Sequence, residues 1–110
     1  MISIQNNSIF LDSCVIGRRL GISILSTEQK NMSDHFAGMQ KTDIPITFLS
    51  NKKCHVLHNS LAWYETTIRD IIHAGDHHLI LCDVKDLGRN ENAEPLIYYS
   101  GYLSLGKDLA

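Results

Sequence analysis

A glycine-aspartate turn places a histidine at the start of an apolar run in the middle of this chain. Residues 74–84 read Ala-Gly-Asp-His-His-Leu-Ile-Leu-Cys-Asp-Val. Gly75 and Asp76 are residues of tight turns, and the apolar run after them predicts a buried strand. The turn therefore fixes His77 at the mouth of a strand, where its imidazole can face a ligand and exchange a proton near neutral pH. Position alone leaves open the alternative that His77 only completes the turn.

The remaining histidines raise the question of a metal site. The chain has six histidines, and several fall in two groups, Cys54-His55-x-x-His58 and His73-x3-His77-His78. Imidazole and thiolate are zinc ligands. On strands, however, neighbouring residues face opposite sides, which separates His77 from His78 and His55 from His58. We therefore predict no metal site and interpret most of these histidines as surface or loop residues.

Composition narrows the class of protein. One hundred and ten residues suffice for one domain, 1–110, and 44% of them are apolar, as in an ordinary globular core. The net charge of −2 with no basic cluster argues against nucleic-acid binding. No apolar run reaches the roughly 20 residues of a membrane span. The three widely spaced cysteines fit reduced thiols in a cytoplasmic protein.

Periodicity predicts two helices early in the chain and strands in the rest. The predicted helices cover Ile9–Leu20 and Thr27–Ala37, the second capped by Ser26 and Gln29. The predicted strands cover residues 2–4, 21–25, 54–58, 60–70, 77–85 and 95–99, with a polar loop over 86–94. Residues 46–49 are predicted as a short strand or an extended segment. Mostly antiparallel strands with short turns favour a barrel or a sandwich.

Four blocks of sequence, taken in order, resemble the flavin reductase-like family. They are Ile2-Ser3-Ile4-Gln5-Asn6-Asn7-Ser8, then Gly21-Ile22-Ser23-Ile24-Leu25-Ser26-x-x-Gln29 with Phe36-Ala37-Gly38, then Leu61-Ala62-Trp63 with Ala74-Gly75-Asp76-His77 and Asp83-Val84, and finally residues 95–102. The family is about one and a half times this length, one ordinary domain. The chain thus resembles its C-terminal two-thirds, an N-terminally truncated domain, and Ser23 stands where many relatives carry Asn.

The resemblance implies a fold and a site. The fold is mainly β with two flanking helices: a partial, FMN-binding split β-barrel of Greek-key type. FMN would lie at a homodimer interface near the turn Asn6-Asn7-Ser8 and the turn Gly75-Asp76-His77, with Tyr98 or Tyr102 as a wall of the pocket. His77 would be the catalytic residue, because a cation or proton donor there stabilises the negative charge of a reduced flavin.

The resemblance also implies an activity: NAD(P)H-dependent reduction of FMN, or of FAD as substrate, by the reductase component of a two-component monooxygenase. A partner monooxygenase is expected with it. Two alternatives stay open at this point. One is a flavin-binding module without turnover, left by the truncation, and the other is a structural or interaction domain that shares only the architecture.

Overall fold

The computed structural model describes residues 1–38, 44–98 and 101–104, with residues 102–104 described by their backbone only. Four antiparallel strands form its main sheet: β1 Ile2–Gln5, β2 Arg19–Ile24, β3 Ala62–Ala74 and β4 His77–Arg89. Their order is β1-β4-β3-β2, so β1 lies beside β4 rather than beside its neighbour in sequence. That order is of Greek-key type. The sheet curls into an open half-barrel, which confirms the predicted mainly β class.

The β3–β4 hairpin dominates the sheet, and it is longer than the sequence predicts. Each strand has 13 residues, whereas the predicted strands end at Asp70 and Lys85. Register shifts between Glu65 and Thr66 and between Ile68 and Asp70 mark two bulges in the hairpin, the first with its extra residue in β4 and the second with its extra residue in β3. Bulges bend a strand and increase its twist, which curls the sheet. The predicted loop over 86–94 is wrong in its first part, because residues 86–89 pair with residues 62–65.

The first predicted helix is wrong. Only Ile9–Ser13 is helical, and it is a short 3-10 helix. Ile9 is 87% exposed and Ile16 is 61% exposed, so the apolar spacing does not form a buried helical face. The backbone N–H of Gly17 already donates to the carbonyl of Ile68 at 2.8 Å, and β2 begins soon after. Pairing with the long hairpin therefore overrides the helical pattern.

The second predicted helix is confirmed. A 3-10 turn, Thr27–Gln29, leads into the helix α1, Lys30–Phe36. The predicted capping pair forms, because Oε1 of Gln29 accepts the backbone N–H of Ser26 at 3.0 Å. The side-chain amide of Gln29 also donates to the carbonyl of His58 at 2.7 Å, which ties the helix start to the segment before β3.

The predicted strand over 54–58 is wrong, and residues 46–49, predicted as a short strand or an extended segment, form no regular strand. One isolated bridge joins Phe48 to Leu57. The carboxylate of Glu65 accepts hydrogen bonds from the backbone N–H groups of Lys53 and Cys54, at 2.6 and 2.9 Å. These two N–H groups therefore cannot donate to a neighbouring strand. Near the C-terminus, Leu96–Tyr98 (β5) pairs with Tyr102–Ser104 (β6). The final predicted strand extends to Tyr99, which lies outside the described residues.

The core lies on one face of the sheet. Its buried centre consists of Cys14, Ile68 and Ile80, which are 8%, 2% and 0% exposed. Ile2 and Ile4 of β1 pack against it, and this holds β1 against β4. The helices in the described ranges lack the length and apolarity that crossing a membrane requires.

Candidate functional site

The end of β1 and the turn of the β3–β4 hairpin meet at one corner of the sheet. Gln5, the last residue of β1, pairs with His77, the first residue of β4. Beyond that pair, the backbone N–H of Asn6 donates to the carbonyl of Asp76 at 2.9 Å. The side-chain amide of Asn6 donates to the carbonyl of Gly75 at 3.2 Å. The structure thus brings together the two turns that the sequence analysis singled out.

The hairpin turn depends on the backbone freedom of Gly75. The connection from Ala74 to His77 has two residues, and Gly75 has a φ of +61°. A positive φ at only the first central residue is the type II′ pattern, which suits the twist of a hairpin and strongly favours glycine. A Cβ atom at Gly75 would meet nothing within 4 Å, so backbone conformation alone imposes the requirement.

Asp76 holds the imidazole of His77 in place. Nδ1 of His77 lies 2.7 Å from Oδ1 of Asp76, with the histidine side chain 33% exposed and the aspartate 91% exposed. The hydrogen bond from His77 lowers the pKa of Asp76, and the charge of His77 and a backbone hydrogen bond lower it further. An ionised carboxylate only accepts, so Nδ1 of His77 carries the proton. This leaves Nε2 as the atom of His77 that can meet a ligand.

A polar groove of about 270 Å³ opens beside this corner, lined by Gln5, Asn6, Asn7 and Asp76. Paired residues on adjacent strands face the same side of a sheet, so Gln5 and His77 share a face. Ser8 does not line the groove, and its carbonyl accepts the backbone N–H of Leu11 at the start of the 3-10 helix. The backbone of Tyr102 pairs with Tyr98, and its side chain lies outside the described part of the chain.

The structure adds three residues to the corner that the sequence analysis did not place there: Gln5, His73 and His78. His73 pairs with His78 across the hairpin, and their rings stack with centroids 4.7 Å apart. Both contact the side chain of Asn6. Alternation along β4 puts His78 on the sheet face opposite His77. The register of the strands brings these residues together, and no feature of the sequence indicates that register. No cluster of three metal-ligating side chains occurs within residues 1–38, 44–98 and 101–104.

Comparison with known proteins places the chain in a family. The sequence matches the family model described as "Flavin reductase like domain" over residues 1–106. It is similar to the 4-hydroxyphenylacetate 3-monooxygenase reductase component of Pseudomonas aeruginosa, 27% identical over 91% of this chain and 62% of that protein. It is also similar to the NADH-dependent flavin reductase StyB of Pseudomonas fluorescens, 30% identical over 76% of this chain and 51% of that protein.

The fold agrees with the sequence match. A solved structure titled "Flavin reductase PheA2 in native state" superposes with a TM-score of 0.87 and 28% identity, and it covers 96% of this chain and 69% of that one. The chain therefore spans between about half and two-thirds of the length of these relatives. With a match that covers residues 1–106, this chain belongs to the flavin reductase-like domain family.

Proposed function

We propose that this chain forms the flavin-binding corner of an NAD(P)H-dependent flavin reductase, with FMN as bound flavin or FAD as flavin substrate. The observation that carries the proposal is the pair of His77 and Asp76 beside an amide-lined groove, at the point where β1 meets the hairpin turn. Asn7, Gly75 and Asp76 are proposed as binding residues. Asn6, which the resemblance also implies as a binding residue, has its side-chain donors directed to Gly75 and His73. Ser8 and Tyr102 are also proposed as binding residues, and only the family resemblance supports them.

The chemistry of the groove fits a flavin. The pyrimidine edge of an isoalloxazine alternates carbonyl acceptors with an N–H donor. The side chains of Gln5 and Asn7 offer both a donor and an acceptor, so they can match either kind of atom. Nothing lies within 4 Å of the position that a Cβ atom of Gly75 would occupy, so this side of the turn is open to a planar ring.

Within this proposal, His77 has an electrostatic role. A bound flavin would supply the redox chemistry, taking hydride from a nicotinamide cofactor. The chain's part is to orient the ligands and to meet the negative charge of the reduced ring with a fixed donor. Asp76 keeps a proton of His77 on Nδ1 by accepting it at 2.7 Å. In the imidazolium form Nε2 also donates.

The wider setting of the proposal follows from the relatives. One is named as the reductase component of a monooxygenase and another as NADH-dependent. We extend to this chain a partner monooxygenase and NAD(P)H as reductant. Cytoplasmic location belongs to the same proposal and is supported by the three free thiols. A homodimer is supported by exposed apolar side chains such as Ile9, Ile16 and Leu87 and by the sheet edges at β1 and β2.

The proposal is tested with the purified chain in two assays. Quenching of FMN fluorescence measures binding, and oxidation of NADH or NADPH with and without added FMN or FAD measures turnover. We expect saturable flavin binding and flavin-dependent NAD(P)H oxidation.

The same assays test the role of His77. His77→Ala should slow flavin reduction by about 10²-fold, which is the lower range for the loss of one electrostatic group. His55→Ala, a matched change away from the corner, should leave the rate unchanged.

Other outcomes of these assays favour the alternatives. Flavin binding without NAD(P)H oxidation in a folded sample would overturn the reductase activity and favour a binding module. A folded chain that binds no flavin would overturn the whole proposal and favour an interaction domain. Light scattering during size-exclusion chromatography measures the oligomeric state, and a monomer at assay concentration would contradict the proposed homodimer.

A further inference from the structure

The side chain of Asn6 is held by the protein at both ends. Its Oδ1 lies 2.7 Å from Nδ1 of His78. Its Nδ2 lies 3.2 Å from the carbonyl oxygen of Gly75 and 3.4 Å from Nε2 of His73. A primary amide has two N–H donors, and the carbonyl and the imidazole nitrogen take one each. The donors of Asn6 are therefore committed within the chain, which distinguishes Asn6 from a residue that offers them to a flavin.

These contacts fix the tautomers of two histidines. Nδ2 of Asn6 only donates, so Nε2 of His73 must hold a lone pair and the proton of His73 must sit on Nδ1. Oδ1 of Asn6 only accepts, so Nδ1 of His78 must carry a proton. The two rings stack at 4.7 Å with an angle of 26° between their planes, which keeps both nitrogens facing the same amide.

The same residue also holds the turn that carries His77. The backbone N–H of Asn6 donates to the carbonyl of Asp76, and its side chain donates to the carbonyl of Gly75. The carbonyl groups of both turn residues thus accept hydrogen bonds from one residue, Asn6, which directly follows β1. Asp76 in turn lies 2.7 Å from Nδ1 of His77. A displacement of Asn6 would therefore move the turn and, through Asp76, the imidazole of His77.

We propose that Asn6, clamped between His73 and His78, is a positioning residue that sets the place of the Gly75–Asp76 turn and thereby of His77. This inference rests on the proposed function for its effect on turnover, but its structural content stands independently of it. Small displacements matter at such a site, because misplacement by about 1 Å can reduce a rate by about 10²-fold.

The first test uses nuclear magnetic resonance of the whole chain and needs no activity. Imidazole nitrogen shifts should show the Nδ1–H tautomer for His73. In Asn6→Ala, that preference should be lost and the amide signals of residues 75–77 should move. In Asn6→Asp the carboxylate cannot donate, so Nε2 of His73 must become protonated to keep the contact. Asn92→Ala, a matched change on an exposed loop, should alter neither readout.

The second test measures flavin reduction by the same variants. Asn6→Ala should lower kcat by roughly ten- to a hundredfold with a smaller change in KM for NADH. His73→Ala should lower kcat too. The double variant should be no slower than Asn6→Ala alone, because both changes remove the same contact between Asn6 and His73. If the wild-type chain reduces no flavin, the proposed function fails, while the resonance test still decides the position of the turn.

Two results would overturn the role of Asn6. One is an Nε2–H tautomer of His73 in the wild-type chain, because the amide could not then donate to it. The other is an Asn6→Ala variant in which the amide signals of residues 75–77 stay in place.

Discussion

Asp76 and His77 are consecutive in sequence, yet their side chains form a short hydrogen bond, with 2.7 Å between Oδ1 and Nδ1. Neighbouring residues on a regular strand point to opposite faces, so this contact requires the chain to leave the strand between them. The Gly75–Asp76 turn provides that departure. The geometry of the pair is therefore a product of the hairpin turn, and it can be tested through that turn.

The pKa of Asp76 should lie below the usual aspartate value of about 3.9, because His77 donates to the carboxylate. A lowered folded-state pKa contributes stability that is present above the usual value and is lost as pH falls through the lowered one. Carbon resonance of the carboxyl group against pH measures this pKa directly. In His77→Ala the midpoint should return toward the usual value. An unchanged midpoint in that variant would mean that His77 does not cause the shift.

Gly75→Val should destabilise the hairpin. The φ of +61° is strained for any side chain and most of all for a β-branched one, at a cost of about 1–3 kcal/mol. The matched control is Ala74→Val, one residue earlier on the exposed side of β3, where a β-branched residue suits a strand. Urea unfolding of both variants gives the comparison. Equal free energies of unfolding for the two would contradict the assigned turn.

Glu65 should be important for stability although it is far from the corner. It is only 7% exposed, and its carboxylate accepts two backbone N–H groups from the 53–54 segment. Glu65→Ala leaves both donors without their acceptor, and hydrogen bonds to a charged group contribute about 1.5–3 kcal/mol each. Glu91→Ala, at an exposed pair with Arg89, should cost much less. Chemical unfolding that shows equal losses would refute this role of Glu65.

Cys14 should react slowly with alkylating reagents in the folded protein. Burial raises the pKa of its thiol, the nearby Cys82 raises it further, and Arg18 opposes both effects. Since the thiolate is the nucleophile, a raised pKa and a side chain only 8% exposed both slow the reaction. Mass spectrometry after timed iodoacetamide treatment should show Cys54 modified before Cys14, with the difference abolished in urea. Equal rates in the folded state would contradict the buried placement of Cys14.

Local features were predictable from the sequence and long-range ones were not. The turn at Gly75, the position of His77 and the cap formed by Ser26 and Gln29 depend on residues close together in the chain. The contact of Asn6 with His78 joins residues 72 positions apart, and only the strand register creates it. Periodicity alone cannot supply a register.

The errors have the same origin. A helical spacing after Ile9 gave way to sheet pairing that begins at Gly17. The alternation after Cys54 gave way to the capture of backbone donors by Glu65. In both segments a distant partner in β3 outweighed the local pattern, which is the usual limit of propensity.

The most direct test of the central claim is a map of flavin binding on the chain itself. Amide signals would be assigned and then followed during titration with FMN. A flavin at the corner should move the signals of Gln5, Asn7 and residues 75–77 together with one dissociation constant, and leave those of residues 89–91 at the other end of the hairpin unchanged. Saturable shifts that avoid the corner, or no shifts at all in a folded sample, would contradict the proposal that this turn holds the flavin.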